Sequence, residues 1–290
     1  MAKSVGMVGI GMMGHGIASN LLKHGHELRV LDHPGNQPVD DLRAKGLLVL
    51  ASASEVAAAS DVVILVLTGS PQVEAVLTGE DGVLQGLRPG AVVIDCSTAI
   101  PSSTVRMAQA VQAAGGRFLD SPMTRTPKEA AEGRLNLLVG GDVALLDEVL
   151  PLLRCFAENI THIGPVGAGH SMKLLHNYVS LGMVTLLSEA AACAKTNGVG
   201  AEAFVEVLAK GGGGGIALER LKPFLLAEDT SGLRFSIANA RKDLDYYNTM
   251  AKDAGAYKTV AAAVLSALET GLAKEPDALV PQLAALLAMK

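Results

Sequence analysis

The chain has 290 residues, 49% of them hydrophobic, and its 24 basic and 29 acidic residues leave a net charge of −5. That length and apolar content suit two domains with sizeable cores, and the mild acidity without a basic block argues against a nucleic-acid surface. Three scattered cysteines, Cys96, Cys155 and Cys193, match neither a disulfide framework nor metal-ligand spacing, so no metal is expected. No apolar run is long enough to span a membrane and the first residues pass straight into a strand pattern, so a cytoplasmic protein is expected.

Residues 5–9 predict a first strand, followed by Gly9-x-Gly11-x-x-Gly14 and a helix over 15–24. This is a dinucleotide fingerprint in its proper strand–turn–helix setting. Gly9 permits the tight turn, Gly11 lets the backbone approach a pyrophosphate, and Gly14 allows close helix–strand packing. Met12 and Met13 complete the turn, and the helix N-terminus beyond it favours an anion. A second strand spans 28–32, and Asp32 stands at its end, 18 residues after Gly14. An acidic side chain there accepts from ribose hydroxyls and repels a 2′-phosphate, which selects NAD(H) over NADP.

Further strands are predicted at 62–67, 91–95, 117–119 and 136–139, with 160–163 as a final candidate. Helices at 38–45, 53–58, 71–77, 102–114 and 142–153 alternate with them. This rhythm indicates a parallel sheet with crossover helices. From about residue 168 the pattern turns helical: one long segment at 169–196, then 201–209, 216–227, 234–253, 257–271 and 276–288. The expected fold is therefore α/β, with a Rossmann-type dinucleotide-binding domain over 1–164. An all-α domain over 165–290 follows, joined through the long helix. The run Gly211–Gly215 is expected to be a loop between two of its helices.

In such a sheet, ligands bind beyond the carboxyl ends of the strands. Leu67 ends the third strand and Thr68 follows it, Ser97 and Thr98 follow the fourth, and Asp120 to Pro127 follow the fifth. The hydroxyls of these loops suit the cofactor and substrate, and equally suit helix capping. Arg125 offers paired donors to a carboxylate, sulfonate or phosphate, or is a plain surface arginine. Lys173 and Asn177 share one face of the long helix, where a lysine serves as a proton donor or as an ordinary snorkelling side chain. Lys242, next to Asp243, is either a cover for the cofactor or an exposed pair.

Four ordered segments, VGIGMMGHGIASNLLKHGH, DSPMTRTPKEAAEGRLNLLVGG, GPVGAGHSMKLLHN and ARKDL, together resemble the β-hydroxyacid dehydrogenase family. The resemblance covers nearly the whole chain. It implies reversible hydride transfer between NAD(H) and a small anionic 3-hydroxy acid or semialdehyde, in a homodimer or homotetramer. It implies Lys173 as the catalytic lysine and Asn177 as its support and substrate contact. Ser121, Thr124, Arg125 and Thr126 then bind substrate. Leu67, Thr68, Thr98 and Lys242 lie along the cofactor. Where the family usually carries Ser-Gly-Gly, this chain has Thr124-Arg125-Thr126, a departure that resembles sulfolactaldehyde reductases, with Arg125 on the substrate anion. A non-catalytic NAD-binding sensor is the alternative from a different class.

Overall fold

A computed structural model describes residues 4–31 and 33–288 of the chain. It divides into two compact units, Met1–Lys173 and Leu174–Lys290. The N-terminal unit opens with β1 (Ser4–Val8), α1 (Met12–Lys23), β2 (Glu27–Leu31), α2 (Asp40–Arg43), β3 (Leu48–Leu50) and α3 (Ala53–Ala58). It continues through β4 (Val62–Leu65), α4 (Ser70–Thr78), α5 (Val83–Gly86), β5 (Val92–Asp95), α6 (Pro101–Ala113) and β6 (Arg117–Asp120). Then come β7 (Met123–Thr124), α7 (Pro127–Glu132), β8 (Leu135–Gly140), α8 (Val143–Leu153) and β9 (Ala157–Gly164).

Among the described residues these strands form one sheet in the order β3-β2-β1-β4-β5-β6-β8-β7, with β9 also paired to β8. The strands from β3 to β6 are parallel, as the alternation predicts. Val62 to Leu65 and Val92 to Asp95 are buried along their whole length. Both faces of these central strands are therefore covered, which explains their unbroken apolar runs. One face packs with Ile17, Leu21, Leu119 and Phe156, the other with Val8, Val63, Val73 and Val93. Strand β8 departs from the parallel rule: it is antiparallel to β6, with Asp120 opposite Gly140, and antiparallel to β7. The β7–β8 pair consequently runs on past the carboxyl end of β6, which builds a wall at the ligand-binding edge of the sheet.

Helix α7 packs on α1 with almost no clearance. A Cβ added to Gly16 would lie 2.6 Å from the carbonyl carbon of Ala130. The buried Asn20 amide donates at 2.9 Å to the carbonyl of Ala130. The helix that opens the glycine turn is thus fastened to the segment that follows the Thr124–Thr126 loop.

The C-terminal unit is helical. Helix α9 (Ala168–Thr196) starts in the first unit and is followed by α10 (Ala201–Ala209), α11 (Ile216–Ala227), α12 (Ile237–Asp253), α13 (Thr259–Lys274) and α14 (Leu283–Ala288). Its core gathers Leu181, Val184, Leu218, Leu221, Ile237, Leu244, Leu268 and Leu283. The five glycines connect α10 to α11. The last helix is shorter than the pattern predicts, because Pro281 lies in a 3-10 turn over Val280–Gln282 and α14 starts only after it. No helix among the described residues is long and apolar enough to cross a membrane.

The α1–α7 contact leaves no room for a methyl group, so Gly16→Ala is expected to lower the unfolding free energy by about 1–3 kcal/mol. Urea denaturation checks this as a reduced midpoint at unchanged slope.

Candidate active site

The glycine turn sits between β1 and its neighbour β4, where the strand order reverses from β1-β2-β3 to β4-β5-β6. Gly9 has φ +99°, and a Cβ there would lie 2.2 Å from the Val66 carbonyl oxygen. A Cβ on Gly14 would lie 2.0 Å from the Gly9 carbonyl oxygen, whereas one on Gly11 meets nothing within 4 Å. Two of the glycines are thus needed by the fold, and the third keeps open space in front of α1. Gly11 caps that helix without a side-chain hydrogen bond, and the first turn has no acidic residue. Its amide N–H groups and the helix dipole are therefore directed at an anion, and the residues present fit a dinucleotide phosphate.

Met12 is exposed and Met13 half-buried beside this turn. A recess of about 380 Å³ lined by Met12, His15, Gln37, Pro38 and Pro127 opens next to it. Asp32, the residue expected to choose the cofactor, lies outside the described residues. The loops after β4 and β5 are laced together. The Leu67 N–H donates to Ser97 Oγ at 2.9 Å, and the Ile100 N–H donates to Ser70 Oγ at 2.8 Å. Thr68 is exposed and Thr98 half-buried on these loops.

Strands β5 and β6 each end in a buried aspartate, and Asp95 and Asp120 are direct neighbours in register. Asp120 accepts from the N–H groups of Gly167 at 2.8 Å and His170 at 2.9 Å, which fastens the start of α9 to the end of β6. His170 is fully buried. Its Nε2 donates to the Ser97 carbonyl at 3.2 Å, and its Nδ1 pairs with Thr104 Oγ1 at 2.8 Å. Burial pushes the Asp95 carboxyl above its ordinary range, against the opposing pull of His170 and the Ser97 hydrogen bonds. Lys173 follows His170 by three residues and is half-buried. Sequence reasoning passed over Asp95 and placed Asp120 only as the first residue of a candidate loop, with no role of its own. The signal was an aspartate ending an otherwise apolar strand, in VVID and again in RFLD.

The loop after β6 separates the four residues expected to bind substrate. Ser121 is fully buried, and its hydroxyl makes no hydrogen bond to the described residues. Thr126 sends both its N–H and its hydroxyl to the Glu129 carboxylate, at 3.0 and 2.6 Å, and so closes the start of α7. Thr124 is half-buried, and its Oγ1 accepts from Asn136 Nδ2 at 3.0 Å. Arg125 stands at φ +81°, in the left-handed region that favours glycine. A side chain there costs about 1–2 kcal/mol. Its guanidinium donates to the Glu158 carboxylate and to the Arg134 carbonyl.

Within the C-terminal unit, Asn177 and Lys242 meet at one carboxylate. Asn177 Nδ2 donates to Asp243 Oδ2 at 2.6 Å, and Lys242 Nζ lies 3.0 Å from Asp243 Oδ1. His176 Nδ1 pairs with Asn177 Oδ1 at 3.0 Å. Asp243 is buried, so these contacts join α9 to α12 and hold Asn177 in one orientation.

Gly11→Ala separates binding from folding. The added methyl group meets no protein atom, so the melting temperature without cofactor should stay unchanged. NADH affinity should fall on the order of tenfold, equivalent to about 1.4 kcal/mol. Fluorescence titration beside thermal unfolding measures both.

The NAD-binding domain of 6-phosphogluconate dehydrogenase matches residues 4–164, and the NAD-binding domain of NADP-dependent 3-hydroxyisobutyrate dehydrogenase matches residues 167–279. The chain is 34% identical to the NAD-dependent L-serine dehydrogenase of Pseudomonas aeruginosa, over 93% of this chain and 89% of that one. It is 36% identical to the 3-sulfolactaldehyde reductase of Escherichia coli, over 65% of this chain and 63% of that one. The structure superposes on the 3-hydroxyisobutyrate dehydrogenase of Mycobacterium tuberculosis, determined with L-serine, with a TM-score of 0.88 at 27% identity, covering 99% of both chains. A glycine turn built for a nucleotide phosphate and two family domains in sequence lead to one conclusion: the chain belongs to the β-hydroxyacid dehydrogenase family of nicotinamide-dinucleotide-dependent oxidoreductases.

Proposed function

We propose that the chain transfers hydride reversibly between NAD(H) and a small 3-hydroxy acid or its semialdehyde, with Lys173 as the general acid and base. The observation that carries this reading is the clamp of Asp120 on the amides of Gly167 and His170. It fixes the first turn of α9 against the strand ends, and Lys173 sits one turn further on. Hydride transfer is the chemistry the bound dinucleotide supplies. Gly9, Gly11 and Gly14 would hold its pyrophosphate at the start of α1, and Met12, Met13, Leu67, Thr68, Thr98 and Lys242 would bind the rest of it. Asp32 favours NAD over NADP through the ribose hydroxyls.

In reduction, the Lys173 ammonium donates its proton to the oxygen that becomes the alcohol, and its charge stabilises the developing alkoxide. In oxidation, the neutral amine takes that proton back. Asn177, oriented by Asp243, supports Lys173 from the next turn of α9 and contacts substrate. Thr124 contacts substrate through its hydroxyl, and Arg125 holds the anionic end. An arginine kept in left-handed backbone on the ligand-binding edge of the sheet supports that role, since such strain persists where surrounding structure and function require it.

A three-carbon sulfonated aldehyde is the second reading, favoured by Arg125 and by the similarity to the Escherichia coli sulfolactaldehyde reductase. Steady-state reduction of 3-sulfolactaldehyde and of succinic, methylmalonic and tartronic semialdehydes, with NADH and with NADPH, distinguishes the readings. Lys173→Ala should lower kcat by about 10²–10⁴-fold on the preferred substrate while NADH still binds. Turnover that survives this change refutes the lysine mechanism, and a preference for NADPH refutes the role of Asp32.

A homodimer or homotetramer completes the proposal. Leu175, Val179, Met183 and Leu186 are exposed at three- and four-residue spacing along α9, an apolar stripe that association with a second copy would cover. Sedimentation of Val179→Glu/Leu186→Glu should show a smaller species than the unmodified chain. An unmodified chain that already sediments as a monomer would rule this out.

A further inference from the structure

We propose that Glu158 is an internal anion that occupies Arg125 until substrate displaces it, and that this exchange helps determine which anions the protein accepts. The inference rests on Arg125 being the group that holds the substrate anion.

The backbone delivers Glu158 to this position by an irregularity in the sheet. The pairing of β8 with β9 steps from Leu135↔Ala157 to Asn136↔Asn159 and leaves Glu158 as an extra residue on β9. A bulge of this kind breaks the in-and-out alternation of a strand and re-aims the side chain it carries. Glu158 accordingly reaches Arg125, 33 residues earlier in the chain. The next residue returns to register. Asn159 Nδ2 donates to Asn136 Oδ1 at 2.9 Å, and Asn136 Nδ2 donates to Thr124 Oγ1 at 3.0 Å. With its oxygen accepting from Asn136, the Thr124 hydroxyl keeps its proton for another acceptor. One short stretch of β9 thus fixes Thr124 through a ladder of two amides and places a carboxylate on the arginine beside it.

The pair is built to open. Its side chains are 27% and 49% exposed, and ion pairs in water hold weakly. The Arg125 guanidinium keeps the Glu158 carboxyl below its ordinary range, so Glu158 is ionised at neutral pH. When released, Glu158 has a second cation close by, since Arg134 Nε lies 3.9 Å from the same carboxylate oxygen. Substrate binding then exchanges one carboxylate for another anion at Arg125 while Glu158 turns to Arg134. The exchange is close to balanced in charge. A simple anion therefore gains little, whereas one attached to a group that also bonds Thr124 gains a second contact. An aldehyde without an anion cannot displace Glu158 at all.

The experiment compares the unmodified enzyme, Glu158→Gln, Arg125→Ala and the double variant, using whichever of the four aldehydes above is reduced fastest. Glu158→Gln keeps the shape of an exposed side chain and removes the competing charge. It should lower KM by about two- to fivefold at unchanged kcat, and the gain should vanish in the Arg125→Ala background. If Arg125→Ala raises KM and Glu158→Gln leaves it unchanged or raises it, Arg125 binds the substrate but Glu158 is no competitor, and this inference alone fails. If Arg125→Ala leaves KM unchanged, the assignment of Arg125 fails and the inference falls with it. Turnover of none of the four overturns the proposed function and this inference together.

Discussion

A carboxylate buried at the end of β6 holds the N-terminal unit in working order. Asp120 has no access to water, and an ion in that position carries a desolvation penalty of about several kcal/mol unless hydrogen bonds replace the lost water. Two amide N–H groups at the start of α9 provide them, at the end of a helix whose dipole also favours negative charge. The reciprocal effect is that α9 has a fixed starting point. His170 extends the same junction sideways to Ser97 and Thr104, which brings the loop after β5 and the helix α6 into register with it. Lys173 takes its position from this junction, so the buried acid governs where that side chain stands.

The nucleotide end of the unit depends on a different constraint, the absence of side chains. Gly9 and Gly14 are demanded by contacts with backbone atoms, and only Gly11 faces empty space. A single three-glycine pattern therefore combines two requirements of folding with one of binding. The laced loops after β4 and β5 continue the same edge with hydroxyl and amide groups that already have partners within the protein. Their geometry is set before any ligand arrives, which limits the ordering entropy that binding must offset.

The parallel half of the fold was legible because its signals are local: buried strands such as Val62–Leu65 are unbroken apolar runs, and the glycine turn lies between strand and helix. The β7–α7 region was not. Met123–Thr124 is strand only by virtue of its pairing with Leu137 and Asn136, which no local pattern announces between two prolines. Helix α7 did carry a readable signal, Thr126 followed three residues later by Glu129, the signature of a capping box. The short β3 and α5 were also passed over, each held by its neighbours rather than by a strong period. At the site, the residue types at Thr124 and Arg125 were readable, but their partners were not. Glu158 is brought to Arg125 by a bulge, and Asp95, Asp120 and His170 come together only through sheet register and a helix start. Contacts of this kind belong to the tertiary structure and leave no mark on spacing.

The tight seating of α7 on α1 through Gly16 and Asn20 has a consequence for how such a protein changes over time. The Thr124–Thr126 loop hangs between a short strand on one side and a helix bolted to the nucleotide-binding turn on the other. One end is held by the pairing of Thr124 with Asn136 and the other by the Thr126–Glu129 capping contacts, while the contacts that seat α7 on α1 lie outside the loop. Thr124 and Arg125 stand outside both the cap of α7 and its contact with α1, so changes at these two positions leave the part that binds the dinucleotide undisturbed. On the proposed assignment of Thr124 and Arg125 to the substrate, new preferences are accessible by point mutation at these two positions, while the dinucleotide-binding half of the molecule is inherited intact.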